Sequence, residues 1–198
     1  MPGLLLVNPR SGSGSPDAEE LADEARRRGI QVRMLGPGED PAELARGAEA
    51  EALGIAGGDG SLGAIAKVAL ERELPFVCVP FGTRNHLARD LGLDRDDPVA
   101  ALDAFSGGTE RLIDVGRAGD RVFLNNVSLG IYARLVHRRE RRRRRREALA
   151  RAHALWLTLR SPRPQRVTVD GEPAELETPL ELRVEPQALR VLLPSELP

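Results

Sequence analysis

Short apolar runs alternate with helix-period segments over the first two thirds of the chain. Gly3 to Val7, Ile30 to Leu35, Ala52 to Ala56 and Phe76 to Val79 read as strands. Asp17 caps a helix running to about Arg28, and Pro41 to Glu49 and Gly60 to Arg72 are helical. Thr83 is the expected cap of a further helix from Arg84 to Leu91. Strands alternating with helices predict an α/β fold, a parallel sheet with helices on both faces. In such sheets ligands bind beyond the carboxyl ends of the strands. The loops after the first, third and fourth strands should therefore gather at one edge. Pro98 to Phe105 adds a helix, Arg111 to Val115 a strand containing Asp114, and Val122 to Gly130 an apolar strand leading into polar side chains.

The pattern changes after residue 131. Tyr132 to Arg160 reads as one long helix broken at Pro162, and Arg138 to Arg146 holds eight arginines interrupted only by Glu140. Like charges four apart oppose helix formation, and an anionic phospholipid surface would relieve them; the plainer reading is a solvated, partly frayed helix. From Pro164 the period becomes two. Arg166 to Val169, Leu180 to Val184 and Leu189 to Leu193 are expected as antiparallel strands, with turns at Asp170-Gly171, Thr178-Pro179 and Pro186-Gln187. The expected division is an α/β domain over 1–131, an arginine-rich helix over 132–160 and a small β domain over 161–198. Three short strands enclose little core, so they must lean on the first domain, on the helix or on a second copy, which leaves a homodimer open.

Composition narrows the classes. The 198 residues, 41% of them hydrophobic, can build one full domain with a small appendage, and a net charge of -1 gives no overall pull towards nucleic acid. Cys78, the single cysteine, lies in the apolar run Pro75 to Pro80 and reads as a small buried hydrophobe. One cysteine and three scattered histidines offer neither a disulfide framework nor a zinc site. No basic leader precedes a long apolar run, and nowhere do about 18 apolar residues follow one another, so a cytoplasmic chain is expected.

The candidate chemistry sits in the loops. Ala56-Gly57-Gly58-Asp59-Gly60-Ser61-Leu62 puts three glycines in four positions at a strand-to-helix switch. Without Cβ atoms, phosphate oxygens can reach the amides there, and the following helix points unpaired N–H groups at the same spot. Asp59 reads two ways: it accepts a hydroxyl or holds a phosphate-bound magnesium, or it caps a helix. The loop Asn8 to Ser15 offers Asn8, Ser11 and Gly12 for phosphate contact. In the loop from Pro80 to Asp90, Asn85 and Arg89 are four apart and would share a helix face towards a phosphate or base, while His86 reads as structural. Asp170-Gly171-Glu172 fits either a general base with its partner or an ordinary Asp-Gly hairpin turn.

Asn8-Pro9 with Ser11-Gly12, then Gly57 to Ser61, then Pro80 with Gly82-Thr83 and Asn85, then Phe123 with Asn125, Ser128 and Gly130 form an ordered set. It resembles the motif set of the diacylglycerol kinase catalytic domain family, which includes bacterial lipid kinases and sphingosine kinases and is distantly similar to NAD kinases. The resemblance implies an ATP site lined by Gly57, Gly58, Asp59, Gly60, Ser61, Leu62, Gly63 and Thr83, with Asp59 near the nucleotide and its Mg2+; residues binding the metal directly are left unassigned. It also implies that Asp170 and Glu172 match the family's acidic pair, where a carboxylate deprotonates the lipid hydroxyl that attacks the γ-phosphate. Ser61 stands where the family usually has Thr, and His86 where many members have Asp. Members normally carry a larger β-sandwich, with an Asp/Gly-rich metal-binding stretch, between the long helix and the final Asp-Gly-Glu. That insertion is missing between Arg166 and Gly171.

The expectation is an ATP- and Mg2+-dependent kinase for diacylglycerol or a related lipid, held at the inner membrane face by Arg138 to Arg146. Two other classes compete. A nucleotide-binding, membrane-associating module without turnover predicts stabilisation by ATP with no product, and an NAD kinase-like enzyme with a soluble acceptor predicts competition by NAD.

Overall fold

The computed structural model describes residues 3–12, 14–125, 127–129, 165–170, 172–176 and 181–195. The chain divides into two compact units, Met1–Val115 with Glu185–Pro198, and Gly116–Val184. In chain order the elements are β1 (Gly3–Val7), α1 (Ala18–Arg27), β2 (Gln31–Met34), α2 (Pro41–Gly47), β3 (Ala52–Gly57), α3 (Asp59–Glu71), β4 (Phe76–Pro80) and α4 (His86–Leu91). A 3-10 turn, Ala100–Asp103, runs into the one-turn helix α5 (Ala104–Gly107). Then come β5 (Thr109–Ala118), β6 (Arg121–Phe123), β7 (Val127–Leu129), β8 (Gln165–Val169), β9 (Glu172–Leu176) and β10 (Leu182–Leu193).

In the first unit the strands lie side by side in the order β2-β1-β3-β4-β10-β5. β1 is parallel to β2 and β3, β3 to β4, and β4 to β10. Every residue of β1, β3 and β4 is buried, as continuous apolar runs covered on both faces require. The helices begin where the sequence says they should. Asp17 and Glu20 close a capping box over α1, with Asp17 Oδ1 accepting the Glu20 N–H at 2.8 Å and Glu20 Oε2 accepting the Asp17 N–H at 2.9 Å. That helix buries Leu21, Ala22 and Ala25. Asp40 caps α2 through the Ala42 N–H at 2.8 Å, with Pro41 in the first turn. Phe105 lies in the core beside β3: a Cβ on Gly54 would come within 2.5 Å of its ring, which explains a glycine in the middle of a buried strand.

The second unit pairs the end of β5 with β6 and carries a separate antiparallel sheet, β7-β8-β9. Ala118, Val167, Val169, Ala174 and Leu176 form its core, with Phe123 packed against them.

The tail departs from the expected set of three antiparallel strands. Asp170 turns the chain into β9, a strand that the alternation did not mark, paired to β8 with Val169 opposite Glu172. Leu182 to Leu193 form one strand instead of two. Pro186-Gln187 bends it without reversing it, with Gln187 at φ 50° and its N–H held by Asp114 Oδ1 at 2.8 Å. From Glu185 onward the chain belongs to the first unit, where Val191 lies opposite Phe76 of β4. The physical reason is the burial of Leu189, Val191, Leu192 and Leu193, which suits a strand covered on both faces better than the edge of a small sheet. The long helix Tyr132 to Arg160, the run Arg138 to Arg146, Gly171 and the turn Thr178-Pro179 lie outside the described residues.

Candidate functional site

Three loops of the first unit meet at the carboxyl ends of β1, β3 and β4, and backbone contacts fix them to one another. The Asn8 N–H donates to the Ala56 carbonyl at 3.0 Å, and the Phe81 N–H to the Gly57 carbonyl at 3.4 Å. In the first loop, Asn8 Oδ1 accepts the Arg10 N–H at 3.1 Å and the Asn8 carbonyl accepts the Ser11 N–H at 3.1 Å, which closes a tight turn. Gly12 lies so near the Phe81 ring that a Cβ on it would fall 2.2 Å from Cζ.

The glycines at the centre differ in what demands them. Gly82 is pressed on the second loop: a Cβ there would stand 2.4 Å from Gly58 Cα, a backbone collision that no rotamer relieves. Gly57 leaves room for Ser61, whose Oγ would be 2.3 Å from a Cβ at 57. That hydroxyl donates back to the Gly58 carbonyl at 2.8 Å. Gly58 is under no such pressure. It stands at the N-cap of α3 with φ −80° and ψ 171°, which any residue adopts, and a Cβ there would meet nothing nearer than Gly82 Cα at 3.8 Å.

The third loop is held by Asn85 and Asp59. Asn85 is buried in the left-handed region (φ 48°) and clamps the turn, its Oδ1 accepting the Gly82 N–H at 2.9 Å and its Nδ2 donating to the Gly82 carbonyl at 2.8 Å. Asn is among the few non-glycine residues that tolerate this backbone. Asp59 is the first residue of α3, and its carboxylate reaches across to the start of α4, accepting the His86 N–H at 3.2 Å and the Leu87 N–H at 3.3 Å. Its cap is thus on a neighbouring helix, not on its own.

In the second unit Asp170 is buried at the turn between β8 and β9 with φ 48°. Its carboxylate accepts the Leu124 N–H at 2.8 Å and the Asn125 N–H at 2.9 Å, tying that stretch of backbone to the hairpin.

Residues 2–118 match the family model of the diacylglycerol kinase catalytic domain. The chain belongs to that family. Among its relatives, a diacylglycerol kinase of Mycobacterium tuberculosis is 30% identical over 180 residues, covering 84% of this chain and 58% of the relative. A probable lipid kinase YegS-like protein of Chromohalobacter salexigens is 33% identical over 144 residues, covering 67% of this chain and 45% of the relative. The chain therefore spans about half the length of these two relatives. A crystal structure of a Bacillus anthracis diacylglycerol kinase superposes with a TM-score of 0.73 at 14% identity, covering 97% of this chain and 96% of that one; the likeness is one of fold.

Within this diacylglycerol kinase catalytic domain the structure brings together Asn8, Ser11, Gly12, Gly57, Gly58, Asp59, Gly60, Ser61 and Asn85. The other expected residues differ in setting. Leu62 is buried in the core, and Gly63 lies within α3. Thr83 is exposed and does not cap α4, whose N-cap is Asn85. Because the helix starts at His86, Asn85 does not share a helix face with Arg89; Arg89 instead donates to Asp90 Oδ1 at 3.0 and 3.1 Å. The side chain of Glu172 lies outside the described residues. Among the described residues no cluster of three His, Cys, Asp or Glu side chains could hold a metal on its own. The sequence reading passed over Phe81, whose ring holds the first loop to the third. The glycine at 12 was its signal.

Cys78 is buried in β4, and burial first, then the charge of Asp59, push its thiol up to about 12. A thiol that stays protonated is a poor nucleophile. The folded protein is expected to give no reaction with a disulfide reagent at mildly alkaline pH, and one thiol per chain in denaturant. Prompt native labelling would mean that β4 is not buried as described.

Proposed function

We propose that this domain is the nucleotide-holding part of a lipid kinase, carrying ATP with Mg2+ on its three joined loops while the γ-phosphoryl group passes to the hydroxyl of diacylglycerol or a related lipid. Gly58 carries the nucleotide half of this reading. Neither its backbone angles nor its protein neighbours call for glycine, and Ser or Asp would cap α3 at least as well. A group arriving from solvent does call for it, and a phosphate oxygen at the Cβ-free amide beside a helix start fits that need. Magnesium bound to nucleotide phosphates keeps several waters and needs one or two carboxylates from protein, so Asp59 suffices without a dedicated cluster.

The lipid oxygen bonds to the γ-phosphorus as the bond to the ADP oxygen breaks, and the hydroxyl proton passes to a carboxylate. Phosphoryl transfer asks mainly for positioning and charge neutralisation. Asp170 already accepts two backbone N–H groups, so its part is to position the hairpin, and Glu172 takes the proton. The arginines from Arg138 to Arg146 draw the domain to anionic head groups, each adding about 1 kcal/mol near the surface.

The test is radiolabelled ATP with vesicles of diacylglycerol and phosphatidylglycerol. Labelled lipid phosphate is expected from the parent chain, and a fall of about 100-fold to 10,000-fold in E172Q, the usual worth of a general base. Undiminished product from D170N/E172Q would remove the acidic pair from the chemistry. Stabilisation by ATP with no labelled lipid from the parent would leave a binding module without turnover.

A further inference from the structure

Every arginine of the first unit donates its side chain to a carboxylate or a backbone carbonyl, with two exceptions among the described residues, Arg10 and Arg84. Both are exposed, and both stand on the joined loops. Arg10 comes two residues before Gly12, which lies on the Phe81 ring, and Arg84 two residues after Gly82, which abuts Gly58. Their backbone mounts are held, while neither side chain donates to a carboxylate or a backbone carbonyl. The Arg10 N–H is held by Asn8 Oδ1, and the Arg84 carbonyl accepts from Arg95 at 3.5 Å, next to the clamped Asn85. The cation that helical spacing pointed at a phosphate, Arg89, is instead paired with Asp90. A lone surface arginine means little. Two that go without partners, on loops whose neighbours are locked together around a bare glycine amide, form a site waiting for an anion with more than one phosphate. A guanidinium fork matches phosphate oxygens in pairs and suits that task.

We propose that Arg84 and Arg10 take the terminal phosphates of the nucleotide from two different loops and thereby set a preference for triphosphate over monophosphate. This rests on the nucleotide-binding reading above and adds to it the residues that sense phosphate number. Arg84 makes the larger contribution because its loop also carries the contact with Gly58.

The experiment is calorimetric titration of the full chain with ATP, ADP and AMP in the presence of Mg2+, for the parent, R84A, R84K, the double variant R10A/R84A and the control R26A, whose arginine pairs with Asp23 on the surface of α1. R84A is expected to weaken ATP about 10-fold or more, the worth of one charge-assisted hydrogen-bonded contact, and AMP less than about 2-fold. R84K should recover part of the loss, R10A/R84A should bring ATP close to AMP, and R26A should match the parent. An ATP-to-AMP ratio in R10A/R84A equal to that of the parent overturns the proposal while leaving nucleotide binding intact. A parent chain that binds none of the three overturns both. Sedimentation with phosphatidylglycerol vesicles separates the other source of phosphate: vesicle binding lost in R10A/R84A with unchanged nucleotide affinity assigns the arginines to lipid head groups and refutes the assignment to nucleotide.

Discussion

Gly82→Ala and Gly58→Ala are expected to diverge in stability and to agree in losing ATP. In Gly82→Ala the new methyl group meets Gly58 Cα at 2.4 Å and Asn85 Oδ1 at 2.9 Å, so the loops must part. Overpacking of this kind costs about 1–3 kcal/mol, and a chain of this size loses roughly 2–4 °C of Tm per kcal/mol. Gly58→Ala meets ordinary contact only and removes freedom from the unfolded chain, which adds about 0.4–1 kcal/mol where the backbone is compatible. Its Tm should stay near the parent's, because Ala is a poorer N-cap than Gly and offsets that gain. Its ATP affinity should nevertheless fall about 10-fold to 100-fold, because the methyl group displaces a phosphate oxygen from an amide and charge-assisted hydrogen bonds are worth about 1.5–3 kcal/mol. Thermal melts and a fluorescent ATP analogue measure both quantities on the same samples. A Gly58→Ala chain that binds ATP like its parent would show that this glycine answers to no ligand.

How far the sequence could be read depends on the range of the forces involved. β1 to β4 and α1 were legible because their signals are local: continuous apolar runs in β1, β3 and β4, an alternating run in β2, and an Asp17 cap at the head of α1. Loop convergence followed from topology alone. The misreadings have two sources, backbone conformation within a single loop and partners distant in the chain. Thr83 has the better capping chemistry by type, yet Asn85 takes the position because it tolerates the left-handed backbone and clamps Gly82. That shifts the helix start by two residues and takes Asn85 off the helix face expected to be shared with Arg89, which pairs with Asp90. β10 was split because a bend at Pro186-Gln187 and a turn there look the same in sequence. Only the parallel seat opposite Phe76 tells them apart. Asp59 was left between ligand contact and helix cap, and the helix it caps begins with His86, on a different loop.

Asp59→Asn is expected to lower stability and ATP affinity together, with the larger loss of affinity in Mg2+. The carboxylate gives each of two N–H groups an oxygen, Oδ2 for His86 and Oδ1 for Leu87. An amide keeps one oxygen and turns an NH2 donor on the other N–H group, which leaves it unsatisfied in a partly buried place at a cost of about 1–3 kcal/mol. The start of α4 then loosens, and with it Asn85, Gly82 and the surface against Gly58. If this positioning is all that Asp59 does, the loss of ATP affinity should be equal in Mg2+ and in EDTA, and the Cys78 thiol should titrate lower once the nearby charge is gone. If Asp59 also holds the magnesium, the loss should be larger in Mg2+ than in EDTA. The ratio of the two losses therefore assigns the motif carboxylate to the helix alone or to helix and metal together. A variant with parent-like melting and parent-like affinity in both buffers would dismiss both roles.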